Sequence, residues 1–174
     1  MKACIVAYDE YINIPYVKDY ESLLNANHIE YEFILWNRSG DTTANHTNNL
    51  AHVFNRHTGK SKISKLFPFL LWSKFARKVL KDNSYDFLII CTTIPAILLF
   101  DVLVKKYKKR FLLDIRDFTY ENIRLYRFME KRLIQVAWMT AVSSKGFLNW
   151  LPVNSNPYIL THNITNTKEC CNVN

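Results

Sequence analysis

Short apolar runs that alternate with amphipathic stretches are the feature that most constrains the fold of this chain. The runs predict seven strands, at Lys2–Tyr8, Glu30–Trp36, Leu50–Asn55, Tyr85–Cys91, Arg110–Ile115, Trp138–Val142 and Tyr158–Thr161. Apolar residues at helical spacing predict helices at Tyr16–Ala26, Phe69–Asn83, Ala96–Lys106, Tyr120–Val136 and Lys145–Leu151. Strands that are apolar throughout are typical of a parallel sheet buried on both faces. The pattern therefore predicts an α/β fold, a Rossmann-like parallel sheet with helices on both faces.

The length of 174 residues fits a single domain. We expect this domain to span residues 1–163, and the polar residues 164–174 to form a flexible tail. The first ten residues, MKACIVAYDE, predict a strand and not a signal peptide. No apolar run reaches the roughly 18 residues needed to cross a bilayer. We therefore expect a cytoplasmic protein.

Glycine and cysteine usage argues against two kinds of site. The chain has three glycines and contains neither GxGxxG nor GxxxxGK[ST], which argues against a phosphate cradle built from glycine-rich backbone. Cys4 and Cys91 lie in apolar runs and are expected to be buried, while Cys170 and Cys171 are adjacent in the polar tail. Because no Cys/His spacing typical of zinc is present, we expect no metal site.

The net charge of +8 indicates either an anionic partner or simply a soluble surface. Basic and aromatic residues mix at the start of the segment 60–81, where Lys60, Lys62, Lys65 and Phe67 are predicted to contact an anionic membrane surface. The rest of that segment predicts an ordinary amphipathic helix. Its predicted inner stripe is Leu70, Leu71, Phe75, Val79 and Leu80. We expect no nucleic acid partner, because the aromatic residues mostly follow core spacing and no recognition motif is present.

A polar corner follows the fifth predicted strand. Asp114, Arg116 and Asp117 stand where this strand ends, and sites in parallel α/β sheets form at the carboxyl ends of strands. The loop after the first strand, Asp9–Tyr16, should lie at the same edge of the sheet. These two segments are the strongest candidates for chemistry.

Several segments carry a family resemblance, in the same order along nearly the whole chain. They are Tyr8–Lys18, YDFLIIC at Tyr85–Cys91, FLLDIRD at Phe111–Asp117, TAVSSKGF at Thr140–Phe147 and ILTHN at Ile159–Asn163. The chain resembles the N-terminal half of a GT-B glycosyltransferase, of the family 4 type found in bacterial capsule and lipopolysaccharide clusters. Such an enzyme moves a sugar from a nucleotide-sugar to a polysaccharide or lipid-linked acceptor. Its donor-binding half, with a Glu-x7-Glu element and glycine-rich turns, has no counterpart here.

The resemblance implies roles for the residues of the polar corner. Asp117 is the candidate catalytic carboxylate, which would orient an acceptor hydroxyl or accept its proton. Asp114 and Arg116 are predicted to bind the acceptor; Arg116 is suited to a phosphate or carboxylate and not to a base role, since guanidinium keeps its proton. The alternative is structural: the carboxylates satisfy N–H groups of the next helix, and Arg116 pairs with a neighbour.

The resemblance likewise makes the loop after the first strand part of an acceptor site. Asp9, Glu10, Asn13 and Tyr16 are predicted to hydrogen-bond sugar hydroxyls, with a tyrosine stacked on the ring. The alternative is a polar surface loop.

Two functions follow as hypotheses. The first is an acceptor-binding glycosyltransferase domain that is inactive alone, binds no nucleotide-sugar itself and acts with a separate donor-binding chain, peripherally on the membrane. The second is a non-catalytic α/β module that docks on a membrane or partner.

Overall fold

Seven parallel strands form one sheet in the computed structural model. The structure describes residues 1–41, 47, 49–57, 62–117, 120, 122–152 and 158–161, without the side chains of 62–66. The strands are β1 (Lys2–Val6), β2 (Glu30–Asn37), β3 (Ala51–Asn55), β4 (Phe87–Cys91), β5 (Phe111–Ile115), β6 (Met139–Val142) and β7 (Tyr158–Leu160). Their spatial order is β3-β2-β1-β4-β5-β6-β7, and every neighbouring pair is parallel. The predicted Rossmann-like α/β domain is therefore confirmed.

The strand order reverses between β1 and β4. The chain first builds outward from β1 to β3, and then returns to place β4 on the other side of β1. Neighbouring connections therefore diverge above the carboxyl ends of β1 and β4, which leaves a crevice there. In open α/β sheets this topological switch point is where ligands bind.

Helices cover both faces of the sheet. They are α1 (Val17–Ala26), α2 (Lys62–Asp82), α3 (Thr93–Leu98), α4 (Phe100–Lys105) and α5 (Arg124–Val136). On one face α1 packs Val17, Tyr20 and Leu24 against the core, which includes Ile5 and Phe33. On the other face α2 to α5 pack against alternate residues of the same strands. Alternate strand residues thus enter two separate cores, as the continuous apolar runs require.

The α2 helix begins earlier and is rotated relative to the prediction. It starts at Lys62 instead of Phe69, and it accommodates a buried Pro68. Leu70, predicted to face inward, is 50% exposed, while Trp72 is fully buried. The reason is that a different set of positions at helical spacing faces the sheet. The side chains of this buried stripe are Trp72, Ala76, Val79 and Leu80.

Three further element predictions need correction. The predicted helix Ala96–Lys106 is two short helices, because the backbone at Leu99 leaves the helical region between α3 and α4. The segment after β6 is a short 3-10 helix, Lys145–Asn149, and Ser144 forms no side-chain cap. The helix predicted from Tyr120 begins at Arg124, as α5. The predicted tail, 164–174, lies outside the described residues.

Candidate functional site

A pocket of about 120 Å³ opens at the switch point, above the carboxyl ends of β1, β4 and β5. Its lining residues are Ala7, Tyr8, Asp9, Asn13, Ile14, Tyr16, Cys91, Thr92, Arg116 and Asp117. The fold alone brings these segments together, since the loop after β1 is more than seventy positions from Cys91, and Thr92 is 24 positions from Arg116. Five of the seven residues predicted for catalysis or acceptor binding line it: Asp9, Asn13, Tyr16, Arg116 and Asp117.

Asp114 lies beneath the pocket and holds Arg116 in place. Its carboxylate is fully buried and accepts hydrogen bonds from Arg116 Nε at 2.8 and 2.9 Å, with Arg116 Nη2 at 2.8 Å. The Tyr20 hydroxyl also donates a hydrogen bond to the Asp114 carboxylate, at 2.8 Å. Burial raises the pKa of Asp114, and these donors only partly offset that rise. This pairing is the structural alternative foreseen for Arg116, with Asp114 as the neighbour.

Arg116 is fixed on its other side by an aromatic ring. Its guanidinium carbon lies 4.1 Å from the centre of the Tyr16 ring, which is the geometry of a cation–π contact. Burial alone would lower the pKa of Arg116, but the hydrogen bonds and charge of Asp114 raise it. The Arg116 guanidinium is therefore charged. The residue is 7% exposed, and Asp114 and Tyr16 hold its side chain in the wall of the pocket.

Glu10 is engaged within the protein and does not line the pocket. It is 6% exposed, and its Oε1 accepts the backbone N–H groups of Arg38 at 2.8 Å and Ser39 at 2.6 Å. Burial would raise the pKa of Glu10, but these hydrogen bonds outweigh it and lower the pKa. Glu10 thus ties the loop after β1 to the loop after β2. The acceptor-binding roles predicted for Glu10 and Asp114 stay predictions, with both carboxylates held by intramolecular partners.

Arg38 completes that connection and was not foreseen from the sequence. Its guanidinium carbon lies 4.6 Å from the ring centres of both Tyr8 and Trp36. Its Nη2 donates to the Tyr8 carbonyl at 2.5 Å, and its Nη1 is 3.7 Å from the Asp9 carboxylate. The loop is further closed by Asp9 Oδ1, which accepts the side-chain amide of Asn13 at 3.1 Å. The polar wall after β1 is therefore held in one shape.

Thr92, at the end of β4, is the second residue that the sequence did not reveal. Its φ of 74° and ψ of 163° lie in a region that is essentially restricted to glycine. The backbone N–H donates to the Asp114 carbonyl at 2.8 Å, which helps to hold this conformation. The hydroxyl oxygen is buried without a hydrogen-bond partner in the described part of the chain. Strained residues cluster at functional sites, so Thr92 marks the pocket independently of the sequence motifs.

Asp117 differs from the other carboxylates because it is exposed at the rim of the pocket. Among the described residues it has no hydrogen-bond or ion-pair partner. Asp9, Asn13 and Asp117 together present carboxylate oxygens and an amide to one small volume, which Thr92 also lines. Such a set is suited to hydroxyl-rich ligands, and Asp117 is free to accept a proton from one of them.

Comparisons with known proteins leave the identity of the chain open. No protein-family model and no curated protein matches it. The glycosyltransferase resemblance therefore rests on the motifs in the sequence, and the activity that it implies is a proposal.

The described part of the chain contains neither a metal-binding cluster nor a membrane-spanning helix. In it, no group of three or more His, Cys, Asp or Glu side chains is placed to hold a metal ion. Nor does any helix of that part of the chain have the length and apolar character to cross a membrane. Of the predicted membrane contacts, Phe67 is 55% exposed, and Lys60 and the side chains of Lys62 and Lys65 lie outside the description.

Proposed function

We propose that this chain is the acceptor-side domain of a glycosyltransferase, which binds a polysaccharide or lipid-linked sugar and relies on a separate donor-binding domain for catalysis. The observation that carries the proposal is the polar pocket at the topological switch point, with Asp117 free at its rim. Hydroxyl groups of a sugar match its carboxylates, amide and hydroxyl. The order of the sequence motifs supports the same assignment.

The size of the pocket supports a site that is completed by a second body. Its volume of about 120 Å³ is below the 300–1,000 Å³ that is typical of small-molecule sites. One edge of a sugar fits such a volume, while a nucleotide-sugar does not. The chain also has no glycine-rich phosphate loop at any strand end. We therefore assign acceptor binding to this domain and donor binding to another.

In the proposed mechanism, the residues of this chain position the acceptor. Arg116, held by Asp114 and Tyr16, orients an anionic or hydroxyl group of the ligand. Asp117 accepts the hydrogen bond of the reacting hydroxyl and takes its proton as that oxygen bonds to the anomeric carbon of the donor sugar. The bond from this carbon to the nucleoside diphosphate breaks in the same transfer, and the diphosphate leaves with the donor-binding domain. Asn13 hydrogen-bonds a neighbouring hydroxyl group, and Thr92 shapes the floor of the pocket.

Saccharide titration tests the binding half of the proposal. Amide resonances of the isotope-labelled chain should shift at Asp9, Asn13 and Asp117 with at least one of glucose, galactose, N-acetylglucosamine and lactose. Asp117→Asn should weaken that binding several-fold. The matched control is Asp19→Asn, which removes a charge from an exposed aspartate of α1 outside the pocket. No pocket shifts with any of the four sugars, or equal losses in both variants, would contradict saccharide binding.

A turnover assay tests the dependence on a second domain. Purified chain incubated with radiolabelled UDP-glucose and each of the four sugars should give neither transfer nor hydrolysis. Measurable turnover by the chain alone would refute the assignment of donor binding to another domain.

A docking module is the second candidate function, and exposed apolar residues at the start of α2 favour it. Phe67 is 55% and Leu70 50% exposed, and the Arg56 guanidinium carbon lies 5.2 Å from the centre of the Phe67 ring. Because α2 follows β3, this end of the helix lies at the same sheet edge as the pocket. Vesicle binding that is lost in Phe67→Ser, without saccharide binding, would favour this function over the first.

A further inference from the structure

The outward face of α5 combines large apolar side chains with exposed positive charge. Phe128 and Leu125, in the first half of α5, are each 66% exposed although both are large hydrophobic residues. Four basic residues, Arg124, Arg127, Lys131 and Arg132, are exposed on the same helix. In the described part of the chain none of the four forms a salt bridge. The helix has one acidic residue, Glu130, and it is buried.

Helical spacing places these residues in one patch. Phe128 follows Leu125 by three positions and Arg124 by four, and it precedes Lys131 by three and Arg132 by four. Side chains at these separations are neighbours on a helix surface. A phenylalanine at the centre is thus ringed by three cations and a leucine. The opposite side of the helix supplies Tyr126, Leu133 and Ile134 to the core, so the exposed face is not needed for packing.

From this arrangement we propose that the outward face of α5 docks on an anionic lipid bilayer. Phe128 and Leu125 enter the boundary between headgroups and acyl chains, and the surrounding cations pair with lipid phosphates. Interfacial helices combine these two features, an apolar strip and a basic rim. Charge complementarity selects an anionic surface, because four positive charges on this helix have no exposed negative charge beside them on the same helix.

The position of α5 connects this surface to the pocket. Since α5 joins the end of β5 to the start of β6, its first turn lies at the carboxyl edge of the sheet, close in sequence to Asp117. Ile123, just before the helix, is 54% exposed and extends the apolar strip toward that edge. The 3-10 helix after β6 adds Trp150, 65% exposed, at the same edge of the sheet. Docking through α5 would therefore hold the pocket near the lipid headgroups.

This inference is independent of saccharide binding and of the α2 contact. It rests on α5 alone, and vesicle binding can succeed while the sugar titration fails, or the reverse. If both hold, the two observations together specify a membrane-bound acceptor.

Vesicle partitioning of the full chain tests the inference. Wild-type protein should cosediment with phosphatidylcholine vesicles that contain phosphatidylglycerol, less so at high salt, and not with phosphatidylcholine alone. The double variant Leu125→Ser with Phe128→Ser should lower the partition coefficient by about tenfold or more. Lys131→Gln and Arg132→Gln should each lower it by about fivefold. Leu23→Ser is the matched control, because Leu23 is 61% exposed on α1, on the opposite face of the sheet, and its loss should leave binding unchanged.

Each contrary outcome overturns the assignment. Absence of cosedimentation with the anionic vesicles at low salt excludes the bilayer as the occupant. An equal loss in Leu23→Ser shows that binding is not located on α5. A dimer in sedimentation velocity that the Leu125/Phe128 variant converts to monomer, without vesicle binding, assigns the face to a second copy of the chain. Circular dichroism and thermal melts of the variants verify that folding is intact, as exposure of the replaced side chains leads us to expect.

Discussion

Replacing Arg116 with methionine should destabilise the fold more than any surface change, because it leaves a fully buried carboxylate without its cation. Asp114 loses hydrogen bonds from Nε at 2.8 and 2.9 Å and from Nη2 at 2.8 Å, and retains the Tyr20 hydroxyl. Removing one partner of a buried ion pair costs about 3–5 kcal/mol. For a chain of this length that loss corresponds to a decrease in Tm of roughly 6–20 °C.

The pH dependence of this loss identifies its cause. Burial already raises the pKa of Asp114 in the folded state above its unfolded value. A raised pKa means that this group favours folding most at pH values below its unfolded pKa, and that its contribution declines as the pH rises through the folded pKa. Without Arg116 the folded pKa rises further. The free energy of unfolding of Arg116→Met should therefore be closest to wild type at an acidic pH and fall further below it at neutral pH.

Urea denaturation followed by tryptophan fluorescence provides the assay, since Trp36 and Trp72 are fully buried. Asp114→Asn is the companion variant, and the double variant completes a cycle. Because the double variant leaves no buried charge, it should be more stable than Arg116→Met alone, with a coupling of about 1–3 kcal/mol. A loss below about 1 kcal/mol that is equal at both pH values, together with additive effects, would refute the buried-pair reasoning.

Two further changes have definite expected outcomes. Thr92→Gly should stabilise the fold by about 1 kcal/mol, because glycine adopts φ 74° without strain; lower stability in urea titrations would contradict the strain. Glu32→Gln tests a second network, in which the Glu32 carboxylate accepts hydrogen bonds from Lys2, Tyr85 and His52. Burial would raise the pKa of Glu32, but these hydrogen bonds outweigh the effect of burial and lower the pKa to about 2. A lowered pKa stabilises the fold above about pH 4.5 and less as the pH falls toward 2, so this variant should lose about 2 kcal/mol at pH 7 and show a flatter acid-unfolding curve. An unchanged acid transition would argue against the network.

The strands and the class of fold could be predicted from the sequence because burial on both faces leaves a local signature. Strands of the sheet contain short apolar runs, such as FLIIC in β4 and FIL within β2, and such a run is visible without knowledge of its neighbours. The rotation of α2 was harder to predict, since Leu70 and Trp72 both belong to a stretch that is apolar on several sides. Which of them faces the sheet depends on the packing partners and not on the helix alone.

The candidate site was only partly predictable, because a carboxylate's role depends on partners that are distant in the sequence. Asp114 near the end of β5 and Asp117 just after it are alike as carboxylates at a strand end, yet Tyr20 from α1 donates a hydrogen bond to the first, and the second has no hydrogen-bond partner in the described chain. Glu10 is likewise engaged by backbone groups near Arg38, 28 positions away. Thr92 had no sequence signal, since a threonine in a glycine-like conformation resembles any other threonine.

The distribution of order and strain around the pocket suggests how the site would work. Most charged groups at this edge are paired within the protein: Glu10 with backbone N–H groups, Arg38 with the Tyr8 carbonyl, and Asp114 with Arg116. These contacts hold the walls of the pocket in place. The surrounding contacts hold the Thr92 backbone in its strained conformation. Asp117 is left as the carboxylate whose hydrogen-bonding capacity is unused in the described chain, on a scaffold that cannot readily move to satisfy it. A wall of this kind with one free acceptor fits the role proposed for Asp117, which is to receive the hydrogen of a ligand hydroxyl at a defined place.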